Sequence, residues 1–520
     1  MSGLWQAFRD AGLLPARAGE EPSIPSPEWG DDTLDVLLAI WRSSAGVCRG
    51  SAARSRERVV ERLEQWRAHG ARLTWGVPGA SATVGKAWLG VRLAWWPNGV
   101  PRGRRIGLVS SRLGGDLGHR QSWFAALRTA CLHLDVRHDL LLTARSITTQ
   151  RFVRRAAELF GIRVVEITVG NEQKRASCHR WGQCVLARDP EGQESIPQVW
   201  LSPASSSLQP PEQSLVKLPV ADRVVFALSE RLIVLSARAQ GNVARLVAHR
   251  LAAGDFPSAS VYLALGPDLV APRLAAPWMA SGAVGWHLRA VPPADGGWIQ
   301  PPWNMVRSRN RSAPIRKIPR RPDWSLLTHW TRQPSGPWPD QSADDYLDDL
   351  ILDRGGVDHS ALAALCRIVR TRELIATGTL IRGGVRMVCF TEVSLEELPR
   401  LRSFRSHLSR WDFEWYGICI DRTWIAARGG RPVRYGERDE WILLSAEERP
   451  YFQPRFSRTR GGRIIDWSIE REWRHAGDLS LDQLPAEAAL VFVPEVGEAR
   501  KIAPISPWPV IVLQPGASRY

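Results

Sequence analysis

Short apolar runs alternate with amphipathic stretches over residues 100–295, and this alternation constrains the fold more than any other feature of the chain. The apolar runs are typical of buried strands and cover residues 106–110, 139–143, 162–167, 232–235 and 259–264. Helical periodicity separates them, for example over 121–134 and 148–160. Strands joined by helices form a mainly parallel sheet with helices on both faces. The sequence therefore predicts an α/β, Rossmann-like domain at residues 100–290, interrupted by a polar insertion at about 185–215.

The composition changes at residue 291 and divides the rest of the chain. Residues 291–322 are rich in Pro and Gly and hold seven basic residues within fifteen positions, 307–321. This composition predicts an interdomain linker, and both a solvated tether and a phosphate-contacting segment fit it. Residues 1–99 are predicted as a helical and irregular N-terminal region. Short strands and few long helices predict an α+β domain at residues 323–520, so we expect a multidomain protein.

Bulk composition disfavours several classes of protein. No run of 18 apolar residues exists and Met1–Arg9 lacks the pattern of a signal peptide, which predicts a cytoplasmic protein with no membrane span. The net charge of +16 is weak evidence for nucleic-acid binding, because only five of the 69 basic residues are lysine. The seven cysteines are scattered, with Cys178 and Cys184 as the one close pair, which favours reduced thiols and no metal.

Small, hydroxyl and basic residues follow three of the predicted strands. Ligands of open α/β sheets lie at the carboxyl ends of strands, so these residues are candidate ligand contacts. Gly241 allows close backbone approach, and the helix after it directs free N–H groups toward a ligand. A nucleotide phosphate fits this pattern, and so do ordinary tight turns between strands and helices. The full candidate set is Ser110, Arg112, Gly114, Gly115, Thr143, Ser236, Arg238, Gly241 and Asn242.

The strand, small-residue loop and helix over residues 100–290 resemble the Rossmann-like nucleotide sensor domains called SLOG, which are related to the DNA-processing DprA and lysine-decarboxylase-like families. The resemblance is one of architecture, since no strict Gly-x-Gly-x-x-Gly or Gly-x-x-x-x-Gly-Lys motif is present. It implies a bound nucleotide.

Two short patches in the last third of the chain carry a second pattern. His329 and Thr331 lie on a predicted strand that opens the C-terminal domain, and Asp466–Arg474 alternates like a strand. Glu470 and Glu472 are therefore expected to project from one face. Cleavage of an N-glycosidic bond passes through an oxocarbenium-like state, which a carboxylate stabilises, while a second carboxylate can activate the acceptor.

At these residues the chain resembles the ADP-ribosyltransferase superfamily, in particular its bacterial toxin and phage-defence members, the DarT-like and AbiGi-like groups. The resemblance implies NAD as substrate, with Glu472 stabilising the oxocarbenium and Glu470 handling the acceptor. It also implies that the NAD-binding residues are His329, Trp330, Thr331, Arg386, Phe390 and Thr391. Arg382 is an alternative to Arg386 as the arginine that clamps the pyrophosphate, and Gly378 could match the glycine that follows the helix.

Two main hypotheses follow. The first is a bacterial defence or toxin-type effector that transfers ADP-ribose from NAD to a nucleic acid or protein under control of a nucleotide-sensing domain, with NAD glycohydrolase activity as the alternative for the same domain. The second is a non-catalytic nucleotide- or nucleic-acid-binding protein of a phage-defence or DNA-processing system, with His329 in the core and the glutamates in a surface charge ladder. A nuclease ranks last, and the sequence leaves open whether the chain forms a homo-oligomer.

The transferase hypothesis makes one geometric demand. His329 and Glu472 must face one cleft, within about 10 Å of each other, a span that a bound nicotinamide riboside can bridge.

Overall fold

A computed structural model of the chain divides into two compact units, Met1–Gly297 with Leu347–Asp353 and Trp298–Tyr346 with Arg354–Tyr520. The structure describes residues 6, 8–9, 11–14, 33–43, 51–76, 82–114, 117–170, 176–188, 196–204, 211–257, 259–266, 268–287, 315–316, 325–334, 336–354, 358–378, 381–397, 402, 404–405, 410–411, 413–458 and 464–513.

The first unit alternates strands and helices along most of its length. Its strands are β1 Arg72–Trp75, β2 Leu93–Trp96, β3 Arg104–Ser110, β4 Asp139–Ala144, β5 Arg163–Val169, β6 Gln198–Leu201, β7 Arg231–Ser236, β8 Val261–Leu265 and β9 Val284–His287. Its helices are α1 Thr33–Ser43, α2 Ser51–Ala68, α3 Ala82–Leu89, α4 Gln121–Leu132, α5 Gln150–Phe160, α6 Ala176–Ala187, α7 Gln213–Val216, α8 Val220–Leu228, α9 Asn242–Ala252 and α10 Pro272–Ala280.

The described strands of the first unit form one sheet in the order β1-β2-β6-β5-β4-β3-β7-β8-β9. All neighbours from β6 to β9 are parallel, whereas β2 is antiparallel to both β1 and β6. The chain builds outward from β3 to β6, and then returns through α8 to place β7 on the other side of β3. The six strands β5-β4-β3-β7-β8-β9 thus have the doubly wound Rossmann order, with its reversal between β3 and β7.

Burial explains why these runs became strands. The middle of the sheet is covered on both faces, and every residue of β4 is buried. A strand covered on both faces needs a continuous apolar run, and such runs identify β3, β4, β5, β7 and β8 in the sequence. The mixed α/β architecture with parallel strands agrees with the prediction for residues 100–290.

Four strands of this sheet lie outside the predicted strand positions, and one of them, β9 Val284–His287, lies within the predicted Rossmann-like region but at residues for which no strand was predicted. Arg72–Trp75 and Leu93–Trp96 belong to the region predicted as helical and irregular, and Gln198–Leu201 belongs to the predicted polar insertion. The strands β1 and β2 pack with α1 and α2 in a second small core that includes Leu37, Leu73 and Trp95. Runs of four residues are too short to distinguish a strand from a loop by periodicity, which is why the sequence did not predict them.

The second unit is built mainly on antiparallel strands. Its strands are β10 Ile315–Arg316, β11 Leu326–Trp330, β12 Glu373–Leu374, β13 Met387–Thr391, β14 Phe404–Arg405, β15 Arg410–Trp411, β16 Gly417–Asp421, β17 Arg431–Pro432, β18 Arg434–Gly436, β19 Phe452–Pro454, β20 Phe456–Arg458, β21 Ile464–Asp466, β22 Glu472–Ala476, β23 Leu479–Ser480, β24 Ala489–Val493 and β25 Val510–Val512. The helices after Trp330 are α11 Ala343–Leu352, whose residues from Leu347 onward are grouped with the first unit, and then α12 Ala361–Thr371, α13 Arg422–Ala427, α14 Glu440–Leu443 and α15 Val496–Ile502.

Eight of these strands form the main sheet, in the order β10-β25-β24-β16-β11-β13-β22-β17. One face packs on a core with Leu327, Phe390 and Ile418, and the other packs on a smaller cluster with Leu326, Cys419 and Phe492. The edge strand β10 comes from the predicted linker and pairs in parallel with β25, so Ile315 and Arg316 belong to the sheet. The rest of the predicted linker lies outside the described residues.

Candidate functional site

The carboxyl ends of β3 and β7 meet where the strand order reverses, and they bring together two of the three predicted ligand edges. The Ser110 and Ser236 hydroxyl oxygens lie 2.9 Å apart, and the Ser111 amide donates to the Ser236 carbonyl at 3.0 Å. The Trp123 indole also donates to the Ser110 hydroxyl at 2.9 Å. Ser110 is buried in these contacts, so its hydroxyl joins the strands, and the residues after it face the ligand edge.

Two arginines stand at this edge. The Arg238 amide donates to the Ser111 hydroxyl at 3.0 Å, and the Arg238 guanidinium donates to the Arg112 carbonyl at 2.9 Å. Both arginine side chains belong to exposed residues. The two loops are therefore tied together by a cation that water and ligands can reach.

Gly241 precedes helix α9 at the same edge. A Cβ placed on Gly241 would lie 3.3 Å from the Arg238 carbonyl oxygen and 3.6 Å from the Ser111 hydroxyl. A glycine at this N-cap offers no side chain to the first turn of α9, so backbone N–H groups and the positive end of the helix dipole remain for a ligand. Together with the arginines, they make this edge suitable for an anion.

A small pocket with room for about one water molecule opens beside these loops. Its lining includes Ser110, the loop residue Thr149, Val243 of α9, and Val225 and Asp222 of α8. Burial raises the pKa of the Asp222 carboxyl above its usual value, while a hydrogen bond from Asn242 and the charge of Arg112 act in the opposite direction. Asp222 was not among the predicted site residues, although a lone acid in the first turn of the apolar helix α8 was a visible signal.

The third predicted ligand edge, after β4, does not offer its side chains to a ligand. Thr143 is fully buried inside the sheet, and Arg145 donates to the buried Glu166 carboxylate at 2.7 Å. Gly114 is exposed and has a left-handed backbone with φ of +89°, which favours glycine. Gly115 lies outside the described residues.

His329 lies on β11 in the second unit and is half-buried. Its Nδ1 donates to the Cys389 carbonyl at 2.9 Å, and its ring meets Phe390 edge-on at a centroid distance of 5.8 Å. Burial lowers the pKa of His329 below its usual value, so the ring is neutral at pH 7. These contacts fix the tautomer and orientation of the ring.

The sheet register decides which predicted residues share a face. Phe390 on β13 pairs with Trp473 on β22, whereas Thr391 pairs with Glu472 and also with Thr328 on β11. Directly paired residues project from the same face, and neighbours along a strand project from opposite faces. Glu472 therefore shares a face with Thr328 and Thr391, while His329 and Phe390 project from the other. The expectation that His329 and Glu472 line one cleft is wrong.

Glu472 is engaged in an ion pair within its own strand. The Arg474 guanidinium donates to both carboxylate oxygens, from Nε at 2.9 Å and from Nη2 at 2.8 Å. Arg474 is buried and also donates to the Pro450 carbonyl at 2.6 Å and to Gln453 at 3.2 Å. Both oxygens of Glu472 are thus occupied by the buried Arg474 guanidinium, for which the Glu472 carboxylate is the counter-ion.

Glu470 does not continue the strand of Glu472, contrary to the prediction from alternation. Trp467–Glu470 is a 3-10 turn in which the Asp466 carboxylate caps the Ser468 amide. Arg471 then takes a left-handed backbone with φ of +44°, and β22 begins only at Glu472. The Thr391 hydroxyl donates to the Glu470 carbonyl and holds this turn against β13.

The remaining predicted NAD contacts are dispersed over the second unit. Trp330 packs against Phe413 and Phe492, at 5.5 and 5.0 Å between ring centroids. The buried Thr331 hydroxyl donates to the first residue of α12 at 2.9 Å. Arg386 pairs with Asp478 at 2.8 Å, at the end of β13 opposite to Thr391 and about 17 Å from it along an extended strand.

Two features expected from some protein classes are not found in the part of the chain that the structure describes. No group of three or more His, Cys, Asp and Glu side chains is arranged to hold a metal ion. No described helix has the length and apolar character needed to cross a bilayer.

Comparisons with known proteins add little to this geometry. No protein-family model and no curated protein matches the sequence. Among solved structures, the DNA processing protein A (DprA) of Streptococcus pneumoniae is similar at 13% identity and a TM-score of 0.25, over 49% of this chain and 83% of that one. A TM-score of 0.25 is too low to establish a common fold, so the Rossmann-like assignment rests on the strand order.

Proposed function

We propose that the first unit binds a phosphorylated ligand of the nucleotide class at the reversal between β3 and β7. The main observation is that the loops after β3 and β7 and the N-terminus of α9 lie at one edge of the sheet. The Ser110–Ser236 contact at 2.9 Å and a hydrogen bond from Arg238 join the two loops. Ligands of open α/β sheets bind at such reversals, outside the carboxyl ends of the strands. The chain is then a nucleotide-binding protein, which is the second of the two hypotheses drawn from the sequence.

The role proposed for the phosphate groups follows from the charges at this edge. The exposed guanidiniums of Arg112 and Arg238 supply positive charge, and the first turn of α9 supplies N–H donors. A phosphate there would accept hydrogen bonds from backbone N–H groups whose orientation the helix already fixes.

Calorimetric titration of the full-length chain with ADP and with inorganic pyrophosphate tests the proposal. Arg238→Ala is expected to weaken the binding of both probes about tenfold, because a hydrogen bond to a charged group is lost. Arg102→Ala is the matched control, since Arg102 is also exposed but precedes β3 at the opposite edge of the sheet. Equal weakening by both substitutions, or no binding by the wild type, would refute the site.

The transfer of ADP-ribose from NAD remains a prediction from the sequence resemblance. The register supplies no supporting observation for it, since His329 and Glu472 project from opposite faces. Incubation of the chain with labelled NAD and cell lysate tests it independently of the phosphate site. Nicotinamide release together with transfer of label would support the prediction. The absence of both would oppose it.

A further inference from the structure

The second unit exposes large apolar side chains in one part of its sequence. Seven such side chains are exposed among the described residues of this unit, and five of them lie between residues 442 and 469. Leu443 is 86% exposed, so its side chain makes almost no contact within the chain. Exposed apolar side chains that cluster in this way mark interaction surfaces. The five are Ile442, Leu443, Phe456, Ile464 and Ile469.

Four of these side chains belong to two neighbouring elements, helix α14 and the hairpin formed by β20 and β21. The strands β18 and β19 pair in parallel, so α14, which follows β18, and the hairpin, which follows β19, begin at the same end of this pair. The Arg455 amide donates to the Gly436 carbonyl at 2.9 Å and joins the two starting points. Helix α14 and the hairpin therefore form one surface of the second unit.

The orientation of α14 is fixed by contacts of Trp441. The guanidinium carbons of Arg382 and Arg449 lie 4.2 and 4.6 Å from the centroid of the Trp441 ring. These two cation–π contacts hold the half-buried indole against the rest of the unit. The next two residues, Ile442 and Leu443, are then left on the solvent side, where they are 65% and 86% exposed.

The hairpin also has an inner and an outer face. The Trp467 indole donates to the half-buried Ser457 hydroxyl at 2.9 Å on the inner face. Phe456 and Arg458 flank Ser457 along β20 and therefore project from the outer face. Ile464 pairs directly with Arg458 across the hairpin and shares that face. The outer face thus combines exposed apolar groups with an exposed arginine.

The two elements carry opposite charges. Residues 437–448, here called the acidic segment, contain five acids and one arginine, a net charge of −4. The hairpin sequence from 455 to 465 contains four arginines and no acid, a net charge of +4. Within one chain the acidic segment and the hairpin do not cover each other, since their four apolar side chains are each 50% or more exposed.

This arrangement of charge favours a second copy of the chain as the partner. A nucleic acid or an anionic membrane would be attracted by the hairpin and repelled by the acidic segment beside it. Every contact of a two-fold interface occurs twice, so a second copy brings the acidic segment of each chain opposite the hairpin of the other. The exposed apolar side chains of both copies are then removed from water together.

We propose that the second unit forms a two-fold dimer of the chain, in which α14 and the acidic segment of each copy pack against the β20–β21 hairpin of the other. The apolar side chains supply the buried area, and the opposite charges set the orientation. The proposal is independent of the phosphate site, because all the residues that carry it lie in the second unit.

Sedimentation equilibrium of the full-length chain tests for this dimer. The average mass should rise from that of one chain toward twice that value between about 1 and about 100 µM, the range in which small protein interfaces associate. Higher salt should weaken the association, because it screens exposed charges. A mass of one chain at about 100 µM overturns the proposal. Species larger than a dimer also overturn it, because a two-fold contact is closed.

An exchange of charges tests which surfaces meet. Asp439 is exposed and lies three and four residues before Ile442 and Leu443, so it borders their side of α14. Arg458→Asp and Asp439→Arg each place like charges opposite each other twice in the dimer, and each alone should weaken association at least about tenfold. An equimolar mixture of the two variants should restore the dimer. In the mixture the new carboxylate of one variant faces the new guanidinium of the other, and the unaltered elements face each other.

Two further variants complete the experiment. Arg500→Asp makes the same change of charge on the exposed side of α15, which packs on β24 and β25, far from β17 in the sheet order, and should leave association unchanged. Leu443→Ser should weaken association about tenfold while changing Tm by less than about 2 °C, because this side chain is buried only in the dimer. Unchanged association in Leu443→Ser overturns the proposal, and so does a mixture of charge variants that stays monomeric.

Discussion

Removal of the Glu472 carboxylate is expected to destabilise the second unit, because it leaves a buried guanidinium without its counter-charge. Arg474 is 3% exposed, and the Glu472 side chain is 16% exposed. Their two parallel hydrogen bonds, at 2.9 and 2.8 Å, form the bidentate geometry in which Arg–carboxylate pairs are strongest. The substitution Glu472→Ala deletes both bonds and the charge at once.

The magnitude follows from what remains around Arg474. Breaking a buried ion pair by removing one partner costs about 3–5 kcal/mol. Arg474 retains the Pro450 carbonyl at 2.6 Å and Gln453 at 3.2 Å, which places the expected cost at the lower end, about 3 kcal/mol. For a domain of this size, each kcal/mol lowers Tm by about 2–4 °C, so a decrease of roughly 6–12 °C is expected.

Scanning calorimetry of the full-length chain is the suitable assay, since it measures Tm directly. Glu487→Ala, an exposed glutamate of the same unit, should change Tm by less than about 2 °C. The double variant Glu472→Leu with Arg474→Met should recover most of the loss, because it removes both charges together. A Tm for Glu472→Ala equal to that of Glu487→Ala would refute the reasoning.

Three further predictions concern other buried groups. Burial lowers the pKa of His329, so its protonation favours the unfolded chain, and the free energy of unfolding should fall as pH drops below about 6.5. In urea denaturation at pH 7.5 and 5.5, His329→Gln should reduce that fall by up to about 1.4 kcal/mol per pH unit, and an unchanged fall contradicts the assignment. Thr143→Val should be neutral or stabilising, because the Thr143 hydroxyl is buried with no hydrogen-bond partner among the described residues. Its matched control, Thr149→Val, should cost about 1 kcal/mol in the same denaturation assay, because it loses the bond to Leu108. Burial raises the pKa of the Cys131 and Cys419 thiols to about 12, so mass-spectrometric mapping after brief alkylation at pH 8 should find label on the exposed Cys184 and not on these two. Equal labelling of all three cysteines would contradict the burial of Cys131 and Cys419.

The predictability of this fold differs between its two units for a physical reason. Strands covered on both faces require continuous apolar runs, and these runs identified β3, β4, β5, β7 and β8 within two residues at each end. The convergence of Ser110 and Ser236 at one edge follows from the strand order, which the alternation of strands and helices alone does not fix. Asp222 could have been found from its position at the start of an apolar helix.

The second unit shows what alternation in one strand cannot reveal. The pattern Glu470-Arg471-Glu472 suits a strand, but the Thr391 hydroxyl donates to the Glu470 carbonyl and holds a turn that ends in a left-handed Arg471. The strand begins only after this turn, where the Glu472 amide donates to the Tyr435 hydroxyl. The face on which Glu472 lies depends on the register between β11, β13 and β22, and a shift of one residue would reverse it. The pairing of Arg474 with Glu472 was likewise invisible, because side chains two residues apart on a strand share a face whether they pair or not.

The two units make NAD an ambiguous probe, and the ambiguity can be resolved with two substitutions. NAD contains a pyrophosphate, so the proposed phosphate site of the first unit is expected to bind NAD even if the second unit has no NAD chemistry. Binding at the β3–β7 edge should weaken about tenfold in Arg238→Ala and be unaffected by Glu472→Gln, which keeps an acceptor for Arg474. An NAD affinity that depends on Glu472 and not on Arg238 would instead place the ligand in the second unit. Nicotinamide release and transfer of label must therefore both be measured in Arg238→Ala, since only transfer that survives this substitution identifies a transferase.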